Sequence, residues 1–363
     1  MKKILLPLVT AGLFLGACNE DFDVAAPYKD ITVAYGVLNR DDTAHYIRVE
    51  KAFLDENKSA IEMAQIADSS YYKNIEVVMK EYKNDDPASQ IVNRTFDMYR
   101  VDMALEGYPK DAAGSQGFFT NPHYAYKLKL PAGDSLNAFL KYRVVVKNNN
   151  TGRTDSSDVF YVVNSNKNND PNSFYIRDFT NANYQVSFSK TTNNATYELS
   201  GRVPRNGKLL ESIIRFHIVE KNAATGEKKR LSADYTYANA AVTSAGQFKV
   251  SVPTTAIYSF IASSFGPAGA NVQRYVDSCD LFVYVSSNEI YNYQQVQIAQ
   301  GSGLLGDQIK PNYTNMRGEN VLGLIGSRAL RTYRNVPIEA ITIDSLKVNP
   351  VTLSMNIQGR SDE

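Results

Sequence analysis

Runs of apolar, β-branched and aromatic residues at strand length recur along the first half of the chain, with turn-forming residues between them. Seven such runs predict strands at Ile31 to Leu38, Tyr46 to Phe53, Ile75 to Tyr82, Ile91 to Tyr99, Tyr124 to Leu130, Tyr142 to Lys147 and Val159 to Val163. Ala60 to Ala67 has helical spacing instead and predicts a turn or two of helix. The pattern predicts an antiparallel β-sandwich over residues 31–163.

The number and spacing of these strands are those of an immunoglobulin-like sandwich. The second half, residues 174–363, mixes strand patterns with two stretches of helical spacing, Ala256 to Ser263 and Ser287 to Ala299. Its predicted strands are Tyr184 to Ser189, Thr196 to Val203, Ile213 to Glu220, Leu231 to Tyr237, Gln247 to Val252, Tyr275 to Tyr284, Val321 to Ile325 and Ile338 to Ile343. Asn206-Gly207 is a type I′ turn signal and predicts a hairpin.

Together the two halves predict a mainly β fold with two antiparallel β domains. The first is an immunoglobulin-like sandwich, and the second is a β-rich domain with one or two short helices. Residues 164–173 contain only small or polar residues, one Pro and one Lys, and are the predicted linker. Asn and Asp also occur in calcium loops, but the single acid of this segment, Asp170, supplies too little charge for one.

The N-terminus has the three parts of a secretory signal: Lys2 and Lys3, an apolar stretch from Ile4 to Ala17, and small residues before the cut. The stretch is shorter than the roughly 20 apolar residues of a membrane span. Leu15-Gly16-Ala17-Cys18 is typical of a bacterial lipoprotein signal. We therefore predict that residues 1–17 are cleaved and that Cys18 is acylated; the alternative is an ordinary signal with a chance cysteine.

The chain has two cysteines, so Cys279 has no disulfide partner if Cys18 carries lipid. The residues around Cys279 alternate and then become apolar like a strand, which predicts a buried structural thiol and not a catalytic one. Removal of Lys2 and Lys3 leaves 37 basic against 38 acidic residues, a net charge of about −1. Because the basic residues are scattered, no nucleic-acid partner is predicted.

Motifs for catalysis lack their structural context. Gly301 to Gly306 satisfies G-x-G-x-x-G, but Pro311 interrupts the helix that a dinucleotide site requires. His45, His123 and His217 lie far apart in sequence, without carboxylates at ligand spacing. We therefore predict no catalytic residues, no cofactor and no metal site.

The acidic residues after Cys18 resemble the surface-export signal of Bacteroidota lipoproteins. In residues 18–30, the predicted tether, this resemblance covers Asn19, Glu20, Asp21, Phe22 and Asp23. It implies a lipid-anchored protein on the outer membrane, facing the cell exterior. The acyl anchor would bind the outer membrane itself.

Longer segments are similar to a family of Bacteroidota outer-membrane surface lipoproteins with an immunoglobulin-like N-terminal domain. The similarity includes Ile31 to Asn39, His45 to Phe53, Asp68 to Tyr72, Asn74 to Tyr82, Tyr313 to Met316 and Gly323 to Ser327. The chain departs from the family by the inserted Gly318 to Val321 and by Leu324-Ile325, where an aromatic residue is expected. The resemblance implies surface display, often beside TonB-dependent transporters, and implies no catalytic residues.

Two binding functions follow from these expectations. The leading hypothesis is a noncatalytic surface lipoprotein that acts as a binding or accessory subunit, with a TonB-dependent transporter as a candidate partner. The alternative is a glycan-binding lipoprotein of a nutrient-uptake system, favoured by 24 tyrosines but not by the absence of tryptophan. A hydrolase ranks behind both.

Overall fold

The computed structural model describes residues 30–52, 59–85, 88–111, 119–166, 172–181, 183–189, 196–242, 246–301 and 313–360. Its strands are β1 Ile31–Leu38, β2 Ala44–Ala52, β3 Ile75–Tyr82, β4 Val92–Asp102, β5 Tyr124–Lys129, β6 Lys141–Asn148, β7 Thr154–Ser157, β8 Phe160–Tyr161, β9 Tyr175–Ile176, β10 Thr196–Arg202, β11 Leu209–Asn222, β12 Lys228–Ala241, β13 Phe248–Pro253, β14 Val272–Ser286, β15 Met316–Arg317, β16 Val321–Pro337 and β17 Ile357–Arg360. Its helices are α1 Ala60–Ala64, α2 Ala67–Ser70, α3 Thr254–Phe265, α4 Asn288–Gly301 and α5 Ala340–Val348. The predicted mainly β fold is confirmed.

The first seven strands have the order of an immunoglobulin-type sandwich. Their spatial order is β1-β2-β5-β4 in one sheet and β3-β6-β7 in the other. Strands A, B, E, D and strands C, F, G have the same order in the two sheets of a constant-type domain. Here β4 also pairs with β3, so the two sheets are continuous along that edge. Alternate residues of each strand point inward; on β6 these are Tyr142, Val144 and Val146, all at most 2% exposed.

The C-terminal part of the chain completes this sandwich. β15 pairs with β7 at one edge, and β16 pairs in parallel with β1 at the other. Met316, Val321 and Ile325 are buried in the same hydrophobic cluster as β1 to β6, which we call the first core. We had assigned these three residues to the second domain because they come late in the sequence, but they are part of the first core.

The second core is formed by a sheet in the order β12-β11-β14-β16, with β17 beside β14. One face of this sheet is covered by a small sheet, β13-β10-β9, and by α3 and α5. The covering helices bury Ile257, Tyr258 and Ile261 from α3 and Thr342, Ile343 and Leu346 from α5. The hydrophobic effect on this one face holds the layers together.

Two predicted strands of the second half are wrong. The segment Ile338 to Ile343 does not form a strand: β16 ends at Pro337, and α5 begins two residues after Ile338, giving three helices in the second half. Tyr184 to Ser189 contributes only an isolated bridge, between Val186 and Ile338. β-Branched residues favour strands by a small margin, which packing against a core overrides.

Asn206-Gly207 does not close a hairpin, because β10 and β11 belong to different sheets. Asn206 instead has φ of 68° and donates both amide hydrogens to the first domain, to Ala138 O and Val162 O at 2.8 Å each. A Cβ on Gly207 would lie 2.4 Å from Val285 Cγ1. The turn-forming pair serves as a close contact between the two cores.

The sheets are mixed, because β1–β16 and β14–β17 are parallel pairs. We had predicted purely antiparallel sheets.

The two ends of the predicted linker are buried and not exposed: Asn164, Ser165 and Ser173 are at most 1% exposed. The Asn164 side chain donates to Asn172 O at 2.8 Å. Its central residues, 167–171, lie outside the described residues.

We predict that Gly323→Ala destabilises the protein more than Gly133→Ala. Both glycines have positive φ, +142° and +87°, but only at Gly323 does a Cβ meet backbone, 1.9 Å from Ala34 O on β1. The strain at Gly133 should cost about 1 kcal/mol, and the clash at Gly323 should add about 1–3 kcal/mol. Equal losses in urea unfolding would show that the β1–β16 contact does not limit stability.

Candidate functional site

A groove of 480 Å³ lies at the junction of the two cores. Three separate parts of the chain line it: the β1–β2 connection, the segment around β9, and the middle of β16. Its lining residues are Asn39, Asp41, Phe174, Tyr175, Ile176, Phe179, Leu330, Arg331, Thr332 and Tyr333. The volume lies within the range of small-molecule binding sites.

The floor of the groove is held by Arg331, which is 6% exposed. Its Nε donates to Phe174 O at 3.2 Å, and Nη2 donates to Ser165 O. Its guanidinium lies 5.1 Å from the ring centroid of Phe174 and 3.9 Å from a carboxylate oxygen of Asp41. Burial lowers the pKa of Arg331. Since its contacts are inside the protein, Arg331 positions the groove wall and does not present a free charge to a ligand.

Aromatic and polar groups both line the groove. Phe179 packs against Tyr333 with ring centroids 4.4 Å apart, and Tyr175 also lines the groove. Asp41, with a side chain 48% exposed, and the exposed Thr332 contribute a carboxylate and a hydroxyl. Ring faces pack against apolar faces of a ligand while the oxygens accept or donate hydrogen bonds. This combination suits a neutral polar ligand with apolar faces.

A second cluster lies on the outer face of the β12-β11-β14-β16 sheet. His217 Nδ1 is 2.7 Å from Ser232 Oγ, and Nε2 is 3.4 Å from Asp280 Oδ2. His217 and Asp280 are 6% and 4% exposed, whereas Ser232 is exposed. Asp280 also accepts from Asn335 N at 2.8 Å. His217 lies on β11, where its neighbours Phe216 and Ile218 are in the second core.

Serine hydrolases also have a hydroxyl, an imidazole and a carboxylate in a row, but here the two ring nitrogens of His217 have exchanged partners. In those enzymes the serine contacts Nε2 and the carboxylate contacts Nδ1. Arg334 Nη1 lies 3.4 Å from Asp280 and Arg230 Nε lies 2.8 Å from Asp277. None of these residues lines the groove. We therefore interpret the cluster as a cross-strand network that stabilises the exposed face of the sheet.

The other predicted site residues are not brought together. His45 is buried in the first domain on β2, and His123 lies in the loop before β5. Gly301 ends α4, and residues 302–306 of the glycine motif lie outside the described residues. Among the described residues no group of three or more His, Cys, Asp or Glu is arranged to hold a metal ion.

Cys18, Asn19, Glu20, Asp21 and Asp23 lie outside the described residues, so lipidation and export stay predictions. Cys279 is buried on β14, as its sequence pattern predicts, at 1% exposed. Burial raises the pKa of its thiol, and Asp280 raises it further. A buried thiol kept protonated is a poor nucleophile.

Sequence patterns did not reveal the groove, because its residues come from positions far apart in the chain. A row of exposed tyrosines on one face of the second domain would favour glycan binding, but of the described tyrosines of that half Tyr293 alone is clearly exposed, at 37%. Tyr175 and Tyr333 are half-buried at the groove instead. An excess of Tyr in strands was the one available signal, and it did not distinguish core from groove.

Across the part of the chain that is described, the structure contains no helix long and apolar enough to span a bilayer. No family model and no curated protein matches the chain.

Two solved structures are weakly similar. One is the C-terminal globular domain of an oligosaccharyltransferase from Pyrococcus abyssi, with 9% identity and a TM-score of 0.22, covering 69% of this chain and 49% of that one. The other is a bacterial ice-binding adhesin of 1.5 MDa, described for host cell surface retention, with 10% identity and a TM-score of 0.17, covering 86% and 66%. This chain thus spans about half of the first structure and two thirds of the second.

Cys279 should be unreactive in the native protein. We expect a maleimide to modify it only after denaturant is added, because the side chain is buried in the second core. Cys279→Ser should cost about 1–3 kcal/mol by placing a hydroxyl in an apolar site, and Cys279→Ala less. Rapid native labelling with lost binding at an unchanged Tm would contradict a purely structural role.

His45 should make the protein less stable in acid. It is 2% exposed, neither ring nitrogen has a hydrogen-bond partner among the described residues, and burial lowers its pKa from 6.5 to about 4. Between these values the unfolded chain binds a proton that the folded chain does not, so stability falls as pH falls from about 6.5 to 4.

Replacing His45 with Phe removes this titration. The wild type should lose about 3 kcal/mol more than His45→Phe between pH 7 and pH 4. Urea unfolding at several pH values measures the difference, and parallel pH curves for the two proteins would contradict it.

Proposed function

We propose that the chain is an outer-membrane lipoprotein, anchored through Cys18 and facing the cell exterior, that acts as a noncatalytic binding or accessory subunit. The observation that carries the binding function is the groove at the junction of the two cores, where aromatic rings and polar side chains surround 480 Å³. Its floor is built by a buried arginine whose contacts are internal. A preformed floor lowers the cost of ordering a site around its ligand.

The localisation in this proposal is inferred from Leu15 to Cys18 and from the acidic residues after Cys18. A diacylated or triacylated cysteine gives stable membrane residence, whereas one chain alone is marginal. The resemblance to surface lipoproteins supports a TonB-dependent transporter as the partner.

A second candidate function is glycan binding within a nutrient-uptake system. It is favoured by Tyr175, Phe179 and Tyr333 beside Asp41 and Thr332 in one groove. Sugars present apolar ring faces and a rim of hydroxyls, which these groups complement. The groove is lined by one acidic and one basic side chain that already face each other, so a neutral oligosaccharide fits better than a charged one.

Replacing Cys18 with Ala should abolish labelling by a clickable fatty acid and release the protein into soluble fractions. Changing Glu20, Asp21 and Asp23 to Ala should leave labelling intact but protect the protein from protease added to whole cells. A Cys18→Ala protein that still labels and stays with membrane would refute the anchor. Unchanged proteolysis of the triple variant would refute the export signal alone.

Asp41→Ala and Tyr175→Leu should weaken binding of a neutral oligosaccharide at least tenfold, because the first removes a hydrogen-bonding group and the second a stacking group from the groove. Calorimetry against a panel of neutral oligosaccharides of glucose, mannose and galactose measures the affinity. Tyr293→Leu is the matched control, an exposed tyrosine on α4 outside the groove. Binding that is lost equally in the control, or unchanged in both groove variants, would remove the groove as the site.

A further inference from the structure

The end of the first domain at which β1 begins carries two exposed isoleucines. Ile61 on α1 is 71% exposed, and Ile66, which precedes α2, is 47% exposed. Met63 and Ala64 of the same helix are buried. One face of α1 therefore packs on the sandwich, and Ile61 is left on the other, where no described residue covers it.

Tyr72, which follows α2, is hydrogen-bonded to Asp30, the first described residue of the chain. Its hydroxyl donates to Asp30 Oδ1 at 2.5 Å and lies 3.2 Å from Thr32 Oγ1. Arg153 Nη1 donates to Asp30 O at 2.7 Å. These bonds fix the origin of β1 beside α1 and α2, and we call this part of the domain the tether end.

The tether sets how far this end can lie from a bilayer. Residues 19–29 separate Cys18 from Asp30, and the twelve Cα–Cα steps between the two span at most about 40 Å when extended. The opposite end of the sandwich lies about 25 Å further, the length of an eight-residue strand such as β3. Ile91 lies at that opposite end, since its neighbour Val92 pairs with Tyr82, the last residue of β3.

We propose that the tether end docks on the lipid surface, with Ile61 and Ile66 inserted among the headgroups. This inference rests on the proposed anchor at Cys18. A short tether holds the two isoleucines at an effective concentration on the order of millimolar relative to the bilayer. A weak apolar contact then suffices to orient the whole domain, and the far end and the groove face away from the membrane.

Fluorescence can test this orientation, because the chain has no tryptophan. Ile61→Trp and Ile91→Trp each introduce one reporter, at positions that are 71% and 72% exposed in the folded protein. The mature chain is coupled through the Cys18 thiol to a maleimide lipid in phosphatidylcholine and phosphatidylethanolamine vesicles. Cys279 does not compete, since it is 1% exposed. Coupling is confirmed by mass and by flotation with the vesicles.

The reporter at 61 should shift to shorter wavelength and lose at least half of its emission when the acyl chains are brominated. The reporter at 91 should change in neither respect. Adding Ile66→Asp to Ile61→Trp should restore most of the emission, and Ile66→Trp serves as a second reporter if Ile61→Trp folds poorly.

Equal quenching at 61 and 91, or none at 61 in protein that floats with vesicles, would overturn the docked orientation. Because the lipid is attached chemically, this outcome does not depend on acylation in cells. Failure of Cys18 to label in cells would instead overturn the proposed anchor and leave the measured lipid contact standing.

Discussion

One strand, β16, pairs with partners from both cores and so determines how they sit together. Its first residues, Val321 to Ser327, pair in parallel with Thr32 to Leu38, and Arg328 to Pro337 pair antiparallel with β14. A shift of one residue would turn every side chain of a strand to the opposite face. Such a shift in either half of β16 would disturb both cores, so each core fixes the register of the other.

Buried polar groups around β16 make this register specific. Asn315, 1% exposed, donates to Ile325 O at 2.7 Å and accepts from Ile325 N at 2.9 Å. Ser327 accepts from Val163 N at 2.9 Å and donates through its own N–H to Ser287 Oγ at 3.1 Å. Each bond would leave a buried donor or acceptor unpaired if the strand slipped, which costs more than the bond contributes when formed.

The same strand contacts explain why glycines stand at positions 323 and 326. Gly323 lies where any side chain would meet Ala34 O, and a Cβ on Gly326 would lie 2.9 Å from Ile290 Cγ1 on α4. The two glycines therefore allow the close approach of β16 to β1 and α4 where the strand crosses between the cores. The groove is a consequence of the same crossing, because Leu330 to Tyr333 in the middle of β16 line it.

The sequence by itself determined the mainly β fold, the strands β1 to β6 of the first domain, the helices α1, α3 and α4, and the burial of Cys279. These follow from side-chain periodicity and turn residues, which act between near neighbours in the chain. Only the tertiary structure decided that β16 joins β1, that Asn206 contacts Ala138 and Val162, and that Ile338 to Ile343 leads into a helix. Each of these depends on residues distant in sequence, whose contact energies local patterns do not contain. The groove belongs to the same class, since no single segment of the chain holds more than part of its lining.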